Sequence, residues 1–138
     1  MFETIKQGDS GNLVKVAQYL TEYCDMREAS GTFDAAFSMH VKDWQKVNGL
    51  NIDGKIGPET WKVILSTLPT CSTSKNKKSV YTCALQILIG GLTVDGIYGT
   101  NTKNAVAAYQ TANGLKVDGK CGQKTWTCLF NGDRKSVV

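Results

Sequence analysis

Apolar residues recur at helical spacing along the first half of the chain. Leu13, Val14, Ala17, Leu20 and Cys24 make one stripe, and Phe37, His40/Val41, Trp44 and Val47 make a second. Asp9, Ser10 or Asn12 can cap the first of these helices and Asp34 the second, because a short polar side chain there accepts from an unpaired N–H of the first turn. Asn48-Gly49 ends the second helix, and Asp53-Gly54 marks a tight turn between short extended pieces around residues 50–52 and 55–56. Gly57-Pro58-Glu59 opens a third helix, with proline at its preferred first position and Glu59 near the positive end of the dipole. It runs to about Leu68, and Pro69 stops it. After the polar stretch 70–78 the same order returns, with helices over about Val80–Ile89, Thr100–Ala112 and Gln123–Phe130.

The return is a duplication. Residues 44–61 and 109–126 share ten of 18 aligned positions, among them Gln45/Gln110, Asn48/Asn113, Gly49/Gly114, Asp53/Asp118, Lys55/Lys120, Thr60/Thr125 and Trp61/Trp126. The pattern predicts a mainly α chain of two tandem three-helix repeats, 1–69 and 79–138, joined by a short polar linker, 70–78. Units of about 60 residues bury a modest share of their surface and are marginal alone. The two copies are therefore expected to share an apolar interface.

Charge divides unevenly. Residues 1–70 carry seven Lys+Arg against nine Asp+Glu, a net −2, and residues 71–138 carry nine against three, a net +6. A basic second half suits an anionic partner. The lysines are scattered, though, with a cluster only at Lys75, Lys77 and Lys78, and nucleic acid is not an expected partner. No stretch reaches the roughly 20 apolar residues of a membrane span, and residues 1–6 carry no apolar run of signal-peptide length. The expectation is a chain made in a cytoplasm without its own signal peptide.

The inventory argues against catalysis. His40 is the only histidine, too few for a His-rich zinc site, and it is read as partly buried beside the core. No cofactor or metal is expected. In the repeat alignment Cys24, Cys121 and Cys128 fall at apolar positions of the other copy and are read as core residues. Cys71 falls in the linker and Cys83 on an exposed face, aligned with Lys15. Five cysteines leave at least one unpaired within the chain; a reducing compartment fits, and a Cys71–Cys83 bridge stays open. Asp34 and Asp43 lie on a solvated helix and read as surface carboxylates.

The ordered set of residues resembles the three-helix peptidoglycan-binding domain of bacterial and phage wall hydrolases. The first copy has Gly8-Asp9-Ser10-Gly11 with Val14 and Gln18, then Phe33, Trp44-Gln45, Asn48-Gly49-Leu50, Asp53-Gly54, Gly57 and Thr60-Trp61. The second has Leu85-Gln86, Asp95-Gly96, Tyr98-Gly99, Thr102, Ala105-Val106, Tyr109-Gln110, Gly114-Leu115, Asp118-Gly119, Gly122 and Thr125-Trp126. It departs from the pattern where Lys75–Ser79 replaces the Gly-Asp-Ser-Gly opening, and where a longer loop at 25–31 replaces a short Asp-Gly turn.

The resemblance implies a non-catalytic wall-binding region, as of an endolysin, that targets a bacteriolytic catalytic domain lying outside this chain. The ligand would be peptidoglycan, through its glycan strand, its stem peptide or both, and the site of action the cell wall. The alternative is a protein–protein interaction or self-association module without a glycan ligand. Reading such a polymer calls for amides, carboxylates and a cation for free carboxylates, with an exposed ring for stacking. The candidates are Asn48, Gly49, Asp53 and Lys55, their counterparts Asn113, Gly114, Asp118 and Lys120, and Tyr98. Asp53 and Asp118 are read first as turn formers. Trp61, Trp126, Trp44 and Tyr109 are assigned to the core, whereas Tyr98, Tyr19, Tyr23 and Tyr81 are the candidate exposed rings.

Overall fold

In a computed structural model, which describes residues 1–24, 29–73 and 78–131, the described residues form six helices and no strand. They are α1 (Asn12–Leu20), α2 (Ala35–Val47), α3 (Pro58–Ser66), α4 (Val80–Ile89), α5 (Thr100–Ala112) and α6 (Gln123–Asn131). The fold class expected from the sequence is the one observed, three helices per repeat. Asp34 caps α2, accepting from Phe37 N at 2.9 Å, and Pro58 opens α3. The N-cap of α1 is Gly11, without a side-chain bond. Asp9 instead accepts from Lys6 N and holds the turn before the helix.

Two of the predicted apolar stripes extend past the buried part of their helices. Helix α1 stops at Leu20, because Glu22 adopts a left-handed φ of 58° and Tyr23 N returns to Gln18 O. Val47, on the last turn of α2, is 85% exposed. The extended pieces around the Asp-Gly turns reduce to isolated bridges.

Those bridges repeat. Ile5 pairs with Ile56 in the first copy and Cys71 with Cys121 in the second, each by two backbone hydrogen bonds; Ser10 pairs with Thr32 and Lys78 with Ile97. Cys71, expected in the linker, is therefore a buried member of the second repeat, and both described ends of the 70–78 stretch are bonded to that repeat. Residues 74–77, with Lys75 and Lys77, lie outside the described residues. Each repeat also ties its own leading strap with its tryptophan: Trp61 Nε1 donates to Glu3 O and Trp126 Nε1 to Pro69 O, both at 2.9 Å.

The two copies pack on each other as the size argument requires. Helix α1 lies against α4 and α3 against α6, like against like, and one continuous core runs through both. Phe130 of the second copy meets Trp61 of the first edge to face, with ring centroids 5.9 Å apart, and Phe2 at 4.7 Å. Gln123 Nε2 donates to Leu65 O at 2.8 Å, and Tyr81 Oη to Glu22 Oε1 at 2.7 Å. This packing also corrects Cys83. Its alignment with Lys15 predicts an exposed face, but that face of α4 is covered and the residue is 4% exposed. Cys24 and Cys128, assigned to the core, are half-buried, and none of the described cysteines forms a disulfide. Burial pushes the thiols of Cys71 and Cys83 up to about 11, so neither is a ready nucleophile at neutral pH.

Candidate functional site

The turns are organised by glutamines buried near the C-terminal ends of helices. Gln45 on α2 donates from Nε2 to Asp53 Oδ1 (3.0 Å), Lys55 O (2.8 Å) and Thr60 Oγ1 (3.2 Å), while its Oε1 accepts from Asp53 N and Gly54 N. Gln110 on α5 makes the same five bonds to Asp118, Lys120, Thr125 and Gly119. Gln86 on α4 makes them again, to Asp95, Ile97, Thr102 and Gly96. Gln18 on α1 makes a reduced version, with Ser30 and Gly31 standing where the other turns have Asp-Gly. The long loop that departs from the family pattern thus ends in the same device. Each half of each repeat is a helix whose glutamine amide closes the turn after it. The glycine must be glycine: Gly54 has φ +74°, and a Cβ there would stand 2.8 Å from Ser38 Oγ and 2.9 Å from Lys42 Cε.

The aspartates therefore serve the turn, as read from the sequence. Asp53 Oδ1 also accepts from Lys55 N, Asp95 Oδ1 from Ile97 N, and Asp118 Oδ1 from Lys120 N, each at 2.9 Å. At Asp53, desolvation is the largest single influence and pushes the carboxyl up, but the Lys55 N–H, the Gln45 amide and the Lys55 ammonium together outweigh it and hold it below its ordinary range. At Asp95 the Gln86 amide leads in lowering it, and at Asp118 the Lys120 N–H does. A carboxyl lowered in the folded state stabilises above its unfolded pKa of about 3.9, and that contribution fades as pH falls through the folded value. Thermal stability should be level from pH 7 to about 5 and fall below about 4. The triple variant Asp53→Asn, Asp95→Asn, Asp118→Asn should flatten that acid slope in melts recorded across the range; an unchanged slope would remove the turns as its source.

Ile52, Val94 and Val117, the residues just before the three aspartates, are 51%, 43% and 54% exposed. A branched apolar side chain thus stands out at one position in three turns, beside a carboxylate. Lys55 and Lys120, two residues after Asp53 and Asp118, are exposed. Asn48 and Asn113 cap α2 and α5, each donating from Nδ2 to the carbonyl four residues back, and Gly49 and Gly114 follow with positive φ. Next to the turns lie shallow hollows, one of about 360 Å³ bordered by Leu50, Asp53 and Glu59, and one of about 610 Å³ in the corresponding place beside Leu92, Asp95 and Asn101.

The aromatic candidates divide. Trp61 and Trp126 are fully buried, as expected. Tyr98 is corrected: its ring is 1% exposed and its hydroxyl donates to Gly119 O at 2.6 Å, so it braces the next turn from inside and offers no stacking face. Tyr19 is likewise buried, with its hydroxyl accepting from Ala29 N. Tyr23 is partly exposed and Tyr81 half-buried. His40, half-buried as expected, bonds through Nε2 to Thr21 O at 2.8 Å. Among the described residues no cluster of His, Cys, Asp and Glu could hold a metal, and no helix is long and apolar enough to cross a membrane.

Residues 10–64 and 84–129 match the family described as putative peptidoglycan binding domain, and the chain belongs to that family. The chain is also 30% identical over 114 residues to the N-acetylmuramoyl-L-alanine amidase CwlM of Mycobacterium tuberculosis (strain ATCC 25618 / H37Rv). That alignment covers 71% of this chain but 27% of the amidase, so the chain spans about a quarter of its relative's length. No solved structure matches.

Proposed function

We propose that the chain is a non-catalytic module that binds peptidoglycan and holds a lytic enzyme at the cell wall, as the wall-binding region of an endolysin does. The observation that carries this is the match of both repeats to a peptidoglycan-binding family. Likeness to part of an amidase supports a hydrolase domain as the partner. The contacts are assigned to Asn48, Gly49, Asp53 and Lys55 and to Asn113, Gly114, Asp118 and Lys120. In this reading the lysines pair with wall carboxylates, while Ile52 and Val117 lie against apolar faces of sugar or peptide. Each contact is weak, and two linked repeats gain by avidity.

Co-sedimentation with purified sacculi tests it. The chain should pellet with the wall, and Lys55→Ala with Lys120→Ala should release it several-fold, more clearly at low salt, where surface charge is less screened. A parent chain left in the supernatant with sacculi of several wall types would overturn the proposal in favour of an interaction module on the same fold.

A further inference from the structure

We propose that the cavity at the seam between the two repeats is a second ligand site, one that takes a short peptide with a free carboxylate. It encloses about 620 Å³ and draws its walls from both copies, with Lys15 and Tyr19 of α1 facing Lys78, Cys83, Val94 and Asp95 of the second repeat. That volume is within the range of sites for small ligands, about 300–1,000 Å³. Neither repeat could form it alone, so it is a product of the duplication and of the packing of α1 on α4.

The floor is rigid. Tyr19 and Cys83 are 3% and 4% exposed, and the Tyr19 hydroxyl is held by Ala29 N at 3.1 Å. The rim supplies two cations against one anion. Lys15 is pre-organised, because its stem lies across the backbone of Gly31, where a Cβ would stand 3.0 Å from both Cγ and Cε. Holding the stem lowers the conformational entropy that an ammonium loses on meeting a carboxylate. Lys78 is fixed at its backbone by the bridge to Ile97. Asp95 has Oδ1 committed to Gln86 and Ile97 N, which leaves Oδ2 to accept from a ligand amine or amide N–H. Val94 adds a branched apolar surface suited to a methyl side chain. The mouth is unobstructed at Gly90 and Gly91, where a Cβ would meet nothing within 4 Å. Cations, one acceptor and a small apolar wall describe a short peptide with a free terminus better than they describe a neutral sugar.

The source of that peptide rests on the wall-binding reading, under which it is a stem peptide. The test is calorimetric titration of the full chain with a soluble muramyl peptide ending in a free carboxylate, and with the same compound amidated at that end. Binding should weaken about tenfold or more in Lys15→Glu and in Lys78→Glu, as expected for reversing a charge beside a paired carboxylate. It should weaken similarly for the amidated compound and persist in Lys62→Glu, a surface charge reversal on α3. Both rim lysines are at least partly exposed, so melts should show all variants folded. Equal affinity in Lys15→Glu, Lys78→Glu and the parent, or equal affinity for the amidated compound, would overturn the seam site. A chain that pellets with sacculi yet gives no heat with the muramyl peptide loses the seam site and keeps the wall-binding function. One that fails to pellet loses that function.

Discussion

Phe130→Ala should destabilise the chain by about 3–5 kcal/mol, the cost of truncating a buried aromatic to alanine. Phe130 is fully buried, and its ring contacts Phe2, Trp61 and Trp126 at centroid distances of 4.7, 5.9 and 6.5 Å. Two of those partners belong to the other repeat, so the cavity would open where the copies join. Against a total of about 5–15 kcal/mol, the loss is a large fraction, and melting should drop by on the order of 10–20 °C. The seam also makes a qualitative expectation. The parent should unfold in one cooperative transition, since its repeats share a core, while the variant should broaden or split as the copies uncouple. Calorimetry reads both effects. A variant melting within about 3 °C of the parent, in one sharp transition, would mean the repeats hold together by α1 and α4 alone.

The parts of this fold that were legible in the sequence are those set locally. The bounds of α4 and α5, the Asp34 cap and the Pro58 start follow from residues within a turn of where they act. The burial of Trp61 and Trp126 follows from their apolar neighbours. What was not legible depends on partners far along the chain. Cys83 aligns with the half-exposed Lys15, and only the docking of α1 on α4 buries it. Tyr98 looks like a loop tyrosine until its hydroxyl is seen to reach Gly119, 21 residues on. The glutamines fall between. Gln45, Gln86 and Gln110 each precede an Asp-Gly and then a threonine in the same order, a polar residue repeatedly placed on an apolar helix face. That recurrence was a signal for a buried hub. Ile52 carried the opposite signal: beside Asp-Gly it reads as part of a short extended piece, and only the surface shows it and its counterparts Val94 and Val117 bare.

Gln45→Leu tests the hub itself, and it should cost about 2–5 kcal/mol although leucine fills nearly the same volume. The substitution removes five hydrogen bonds at once. Lys55 O, Asp53 N and Asp53 Oδ1 lie close enough to the surface to turn to water. Gly54 N and Thr60 Oγ1 are buried and would be left without partners, at about 1–3 kcal/mol each. Leucine's gain in apolar burial offsets part of this, since the replaced amide was itself buried. Gln110→Leu should cost about the same, because the five bonds at Gln110 repeat those at Gln45 to within 0.1 Å. Denaturant unfolding gives the energy, and amide exchange gives the location. Gly54 N–H should exchange much faster in Gln45→Leu while Gly119 N–H keeps its protection, and the reverse should hold for Gln110→Leu. If both variants stay within about 0.5 kcal/mol of the parent, the Asp-Gly turns form without the amide and the glutamines are not what shapes the surface offered to a ligand. If the energy falls as expected and wall binding falls with it only for the turn that has lost its glutamine, then the buried amide sets the binding face from beneath, without touching the ligand.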